Sequence, residues 1–275
     1  MVVDADRSEL PIGMFDSGVG GLTVARSVID LLPHEDLVYF GDWARCPYGP
    51  RPHDEVRRFA IEIMDALVAE NVKLLVIACN SAASAGALEE AKGRYDIPVI
   101  SVIEPGARAA LAATRSGKIG VIGTKATIES GSYERSIRTA AGDAKVTSAA
   151  CPEFVDFVER GDTASDELVA IAEGYLAPLK RSGADTVILG CTHYPLLSGV
   201  IQYVMGDQVV LISSAEATAN EVFARLHDEG LLNHKRDEPC HRFLSSAEAG
   251  SFSELGRRFL GPEFSGVEFR PWAGS

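Results

Sequence analysis

Seven short apolar runs, at residues 11–15, 37–40, 73–78, 98–103, 118–122, 186–189 and 209–212, recur along the 275-residue chain. They are near-continuous rather than alternating, the pattern of strands buried on both faces. Stretches with helical spacing lie between them, at 55–70, 104–114, 167–181 and 215–229. In the first of these, Val56, Phe59, Ile63, Leu67 and Val68 fall near one face, and Asp54 is placed to cap the amino end. Buried strands alternating with helices dictate an α/β architecture, with mostly parallel sheets flanked by helices. In such sheets ligands bind beyond the carboxyl ends of the strands.

A faint internal repeat refines this. Ile12-Gly13-Met14-Phe15 and Ile119-Gly120-Val121-Ile122 stand 107 positions apart. Leu75-Val76-Ile77-Ala78-Cys79-Asn80-Ser81 and Val187-Ile188-Leu189-Gly190-Cys191-Thr192-His193 stand 112 apart. Two similar offsets point to two similar α/β domains related by a pseudo-two-fold axis, with the active site in the cleft between them; chance similarity between generic α/β units is the alternative. The division falls at 1–103 plus 213–275 for the first domain and 104–212 for the second, with the C-terminal helices packing back on the first.

Bulk properties exclude several classes. A formal net charge of −13 argues against a nucleic-acid groove or an anionic membrane surface as primary partner. No apolar run approaches the roughly 18 residues of a spanning helix, and the acidic first ten residues lack the apolar core of a signal peptide. The five cysteines are odd in number, scattered and without a CxxC pair, so reduced thiols in a cytoplasmic protein are expected.

Chemistry concentrates where strands end. Asp16-Ser17-Gly18-Val19-Gly20-Gly21 follows the first strand. Its backbone N–H groups suit a carboxylate, although a plain tight turn explains the loop equally well. It is neither a P-loop nor a dinucleotide fingerprint. Cys79 and Cys191 each sit where a strand ends and a helix is expected to begin, so the helix dipole would favour thiolate. A single cysteine is more often a buried, inert side chain; the paired contexts, with Ser81 and Thr192 as hydroxyl neighbours, argue otherwise. His193 could polarise Cys191 or simply be a satisfied histidine, and no further ligands at sensible spacing support a metal. The segment 41–49 reads as a substrate-covering loop or as a surface loop whose Asp42 caps a turn. From its local pattern alone Glu159 is a solvated helix residue, and Cys46, Cys151 and Cys240 are incidental.

At these residues the chain resembles the glutamate racemases of the aspartate/glutamate racemase superfamily. Phe15-Asp16-Ser17-Gly18-Val19-Gly20-Gly21 is similar to that family's opening signature, and Gly41-Asp42, Ala44-Arg45 and Pro47-Tyr48-Gly49 to its second. Ala78-Cys79-Asn80-Ser81-Ala82 resembles the first catalytic segment, and Gly190-Cys191-Thr192-His193-Tyr194-Pro195-Leu196-Leu197 the second. Ile103-Glu104-Pro105-Gly106 and the stretch from Phe154 to Glu159 also fit. The motifs keep the family's order from residue 15 to about 197 and so cover most of the chain. Ser81 departs from the pattern, where many members carry threonine; a hydroxyl is retained.

The resemblance implies cofactor-independent interconversion of L- and D-glutamate, supplying D-glutamate for peptidoglycan in a cytoplasmic homodimer. It implies Cys79 and Cys191 as the acid/base pair, with Asp16, Asp42, Glu159 and His193 as auxiliary catalytic groups. It implies substrate contacts from Asp16, Ser17, Tyr48, Gly49, Asn80, Ser81, Thr192 and His193. Two opposed thiols can serve both faces of the α-carbon, one starting as thiolate and the other as thiol. Related alternatives are an aspartate or hydantoin racemase and a malonate decarboxylase. A different class is a regulatory binding protein with a vestigial pocket, for example a modulator of DNA gyrase.

Overall fold

A computed structural model describes residues 7–235, 237–248 and 250–272. Residues 1–6, most of the acidic start, and 273–275, the end of the first-domain assignment, lie outside the described residues.

Among the described residues, ten strands build two sheets. The strands are β1 (Ile12–Asp16), β2 (Leu37–Gly41), β3 (Leu74–Ile77), β4 (Val99–Ser101), β5 (Lys118–Gly123), β6 (Lys145–Ala150), β7 (Thr186–Gly190), β8 (Val210–Ser213), β9 (His241–Ser245) and β10 (Glu268–Phe269). One sheet has the order β10-β9-β2-β1-β3-β4 and the other β6-β5-β7-β8. Every ladder is parallel. All residues of β1, β2, β3 and β7 are buried, as their continuous apolar runs require.

The two sheets share a plan. β1 and β5 are central; β2 and β6 lie on one side of them, and β3 then β4, or β7 then β8, on the other. The repeated motifs therefore occupy matching strands: Ile12 and Ile119 open the central ones, and Cys79 and Cys191 follow β3 and β7. Strand order reverses beside β1 and beside β5, and an open α/β sheet forms its ligand crevice at such a point.

Three expectations need correction. The helix predicted at 55–70 runs His53–Ala69 and follows Pro52, with no side-chain cap; Asp54 lies in its first turn, where it faces the positive dipole end. The C-terminal region contributes β9 and β10 to the first sheet as well as a helix, Gly250–Leu260. β6, an edge strand, was invisible because its residues are half-buried and it lacks an apolar run.

The amino ends of the first sheet are tied by a buried ion pair. Lys73 Nζ lies 2.5 Å from Glu35 Oε2 and donates to the carbonyls of Ser8 and Leu231. Glu35 Oε1 accepts from the Asn233 amide at 2.8 Å. One contact thus joins the chain start, the entries to β2 and β3, and the segment leading to β9. Among the described residues, no helix is long and apolar enough to cross a membrane. Glu35→Ala takes a carboxylate away from the buried Lys73 ammonium, and we expect a loss of about 3–5 kcal/mol in urea unfolding. Asp65→Ala, which breaks the exposed pair with Arg94, should cost under about 1 kcal/mol. Equal losses would refute the assignment.

Candidate active site

The carboxyl ends of the two sheets face each other across a cavity of about 320 Å³. Asp16 ends β1, Cys79 follows β3, Thr124 follows β5 and Cys191 follows β7, so both sheets deliver chemistry to one space. A larger cavity of about 750 Å³ lies at the other end of the helix Asn80–Ser84, reached by Ser84, Arg57, Arg108 and Arg135. It contains neither thiol nor imidazole, so the acid–base groups belong to the smaller one.

The first-sheet wall starts at Asp16. Its Oδ1 accepts the Gly18 amide at 2.9 Å, and its Oδ2 accepts the Thr192 hydroxyl at 3.4 Å from the opposite wall. Thr23 Oγ1 also crosses, donating to the Thr192 carbonyl at 3.0 Å. Gly20 permits this approach: a Cβ there would lie 2.3 Å from Thr192 Oγ1 and 2.5 Å from the His193 ring. Cys79 is 4% exposed, and its Sγ lies 3.7 Å from Ser17 Oγ.

Behind the second-sheet wall stands a relay. Cys191 Sγ lies 3.9 Å from His193 Nδ1, and His193 Nε2 lies 3.2 Å from Glu159 Oε1. Phe259 packs edge-on against the imidazole, with ring centroids 5.6 Å apart, and limits its rotation. Glu159 is therefore more than a solvated helix residue: half-buried at the end of the helix Glu153–Glu159, it reaches the histidine.

A helix does begin after Cys79, the five-residue Asn80–Ser84, but the one expected after Cys191 is absent, and that cysteine leads instead into the short 3-10 turn Tyr194–Leu197. The dipole is outweighed at Cys79. Burial, reinforced by the nearby Asp16 carboxylate, pushes that thiol up to about 12. His193 moves the other way from what burial alone would do. Burial favours the neutral ring, yet hydrogen bonds to Cys191 and Glu159 and the charges of Cys191 and Asp16 raise it to about 10. Asp16 is itself raised by burial, against the opposing pull of His193 and the Gly18 amide.

The remaining expected residues divide clearly. Ser17, Tyr48, Gly49, Asn80, Ser81, Thr192 and His193 line the cavity together with Asp16, Glu159 and both thiols. Asn80 Oδ1 accepts from Tyr133, whereas its buried Nδ2 has no hydrogen-bond partner among the described residues. Asp42 does not reach the cavity; it is fully buried behind Tyr48, whose hydroxyl donates to it. Cys151 and Cys240 also lie off the cavity, but Cys46 lines it, with burial holding its thiol well above the ordinary range. Thr124 was missed. Its hydroxyl meets Ser81 Oγ at 3.1 Å, and the repeat could have found it, because Thr124 stands 107 positions after Ser17.

Fold and site together define a two-unit α/β protein with an acid–base cavity between the units and one strand-end thiol on each wall, Cys79 and Cys191. The model of the Asp/Glu/hydantoin racemase family matches residues 22–222. A glutamate racemase from Parafrankia sp. is 57% identical, over 97% of this chain and 96% of its own. Among solved structures, a glutamate racemase isoform from Bacillus anthracis superposes with a TM-score of 0.91 at 42% identity, covering 97% of this chain and 98% of its own. The glutamate racemase from Francisella tularensis, solved in complex with D-glutamate, gives 0.90 at 32% identity over 96% and 98%. The chain belongs to the Asp/Glu/hydantoin racemase family, and its activity is racemisation.

The raised His193 pKa has a stability consequence. Its folded value of about 10 lies above the ordinary 6.5, so its contribution is complete below about 6.5 and fades as pH climbs through 10. Glu159→Gln replaces the charged acceptor of the imidazolium with a neutral one. The imidazole midpoint, followed by NMR, should fall toward the ordinary value, and the alkaline loss of thermal stability should flatten relative to wild type. An unmoved midpoint would show that Glu159 does not hold the charge.

Proposed function

We propose that this racemase interconverts L- and D-glutamate without a cofactor, by proton transfer between Cys79 and Cys191. One observation carries the reading: each wall of a single polar cavity presents one buried thiol with its own helpers. A cavity of about 320 Å³ lies at the small end of the usual range of ~300–1,000 Å³, which favours a free amino acid over a nucleotide-sized ligand. Sequence and structural kinship with glutamate racemases, one of them bound to D-glutamate, supports glutamate itself.

In this reading the two thiols start in different states. Cys79, buried beside Asp16, begins as the neutral acid. Cys191, next to a protonated His193 braced by Glu159, begins as the base. Abstraction of the α-proton by one sulfur and delivery by the other inverts the carbon, and the states exchange. The ammonium of the substrate, drawn to Asp16, would offset the carboxylate that keeps Cys79 protonated and so ease its turn as base. The developing negative charge on the substrate falls to groups that line the cavity: Asn80, the hydroxyls of Ser17, Ser81 and Thr192, and amides of the 16–21 loop. Thr192 and His193 complete the substrate contacts with Tyr48 and Gly49.

The two units are taken as 1–103 with 213–275 and 104–212. A cytoplasmic homodimer supplying D-glutamate for peptidoglycan goes with this reading.

Cys79→Ser and Cys191→Ser should each lose about a hundredfold to ten-thousandfold in racemisation, read by chiral chromatography of glutamate. In deuterated solvent, each variant should retain α-proton exchange with at most one enantiomer. Near-wild-type turnover by either variant sinks the two-thiol scheme, and faster turnover of aspartate than of glutamate would reassign the substrate.

A further inference from the structure

Asp42 is a buried hub rather than a cavity group. Its Oδ2 accepts from Arg45 Nε at 2.6 Å and from the Tyr48 hydroxyl. Its Oδ1 accepts from Ser246 Oγ at 2.7 Å and from Trp272 Nε1 at 2.8 Å. Two of these donors come from the loop that walls the cavity. The other two come from the far end of the chain, 204 and 230 positions away.

The same distant segment clamps the loop by stacking. The Arg45 guanidinium lies between the rings of Phe59, 4.0 Å away, and Trp272, 4.1 Å away. Trp272 also packs on Phe40 at 5.2 Å, and Ser246 Oγ accepts the Ala44 amide at 2.9 Å. The strap is anchored in turn, since the Arg270 amide donates to the Ser245 carbonyl at 2.8 Å beside the β9–β10 ladder.

These contacts end at the substrate wall. Tyr48 and Gly49 line the cavity, and Gly49 lies against Thr124 of the opposite unit, where an added Cβ would be 3.3 Å from the Thr124 Cβ. The Tyr48 hydroxyl is spent on Asp42, so the tyrosine presents its ring to the cavity and holds its backbone in place. With four donors already on two oxygens and no surface exposed, the Asp42 carboxylate is engaged away from the substrate.

We propose that Trp272 and Ser246, acting through Asp42, are positioning residues that set the Tyr48–Gly49 wall for substrate binding and take no part in proton transfer. This rests on the racemase reading above, with glutamate as the substrate.

The test uses the full chain with Trp272→Phe and Ser246→Ala. Phenylalanine keeps an aromatic ring against Arg45 and Phe40 while removing the N–H donor with part of the indole, and Ser246→Ala, which removes a hydroxyl alone, separates the lost hydrogen bond from the lost ring volume. Each variant should raise KM for glutamate about threefold to tenfold, less than the full effect of one lost hydrogen bond to a charged acceptor because the loss reaches the substrate only through the wall, with kcat within about twofold. The pH limbs of kcat should not move. Amide exchange across residues 43–51, read by mass spectrometry, should quicken while that of residues 16–21 stays as in wild type. Unchanged KM together with unchanged exchange overturns the proposal, as does a fall in kcat with a shifted pH limb, which would put Asp42 in the proton path. Should wild type not racemise glutamate, the substrate reading fails on its own, and the exchange experiment still decides whether the strap holds the loop.

Discussion

At Gly20 the backbone of the first unit passes so near Thr192 and His193 that no side chain fits between them. Asp16 and Thr23 bond across the same seam. This contact brings the carboxyl ends of two separate sheets onto one cavity. It also excludes water from Asp16, Cys79 and His193, and exclusion of water is what makes their mutual charges strong. A looser seam would leave the same residues as solvated groups with ordinary acidities.

The two thiols are alike in sequence and unlike in surroundings. Cys79 shares its wall with a carboxylate and a serine, and burial keeps its proton on. Cys191 shares its wall with an imidazole whose far nitrogen is braced by Glu159. The asymmetry suits a reaction in which one sulfur must start protonated and the other must not. It arises from unequal neighbours on a repeated scaffold, since the strand order around both cysteines is the same.

Much of the scaffold was legible because it is written in local periodicity. The buried strands β1, β2, β3 and β7 are continuous apolar runs, and the parallel architecture follows from their alternation with helices. What escaped lacked that signature. β6 is a half-buried edge strand, β9 opens with two polar residues, and β10 is two residues long. The capping role read for Asp54 failed because Pro52 ends the preceding loop and the helix starts directly after it. At the site, Glu159 looked solvated because nothing near it in the chain announces His193, and Cys46 looked incidental because Ser17 and Asp16 meet it only in space.

From sequence alone came the α/β class, the repeated half-sites, the two cysteines at strand ends and the family that their motifs resemble. Each of these depends on residue order within a short segment, where spacing records which face is buried. The tertiary structure decided which side chains stand beside each thiol. It took Asp42 off the cavity and brought Thr124 and Cys46 onto it. Those outcomes depend on burial and on charges brought together from distant segments, as at Asp42, where Trp272 arrives from 230 positions away. An acidity is a property of an enclosure, and only folding builds the enclosure.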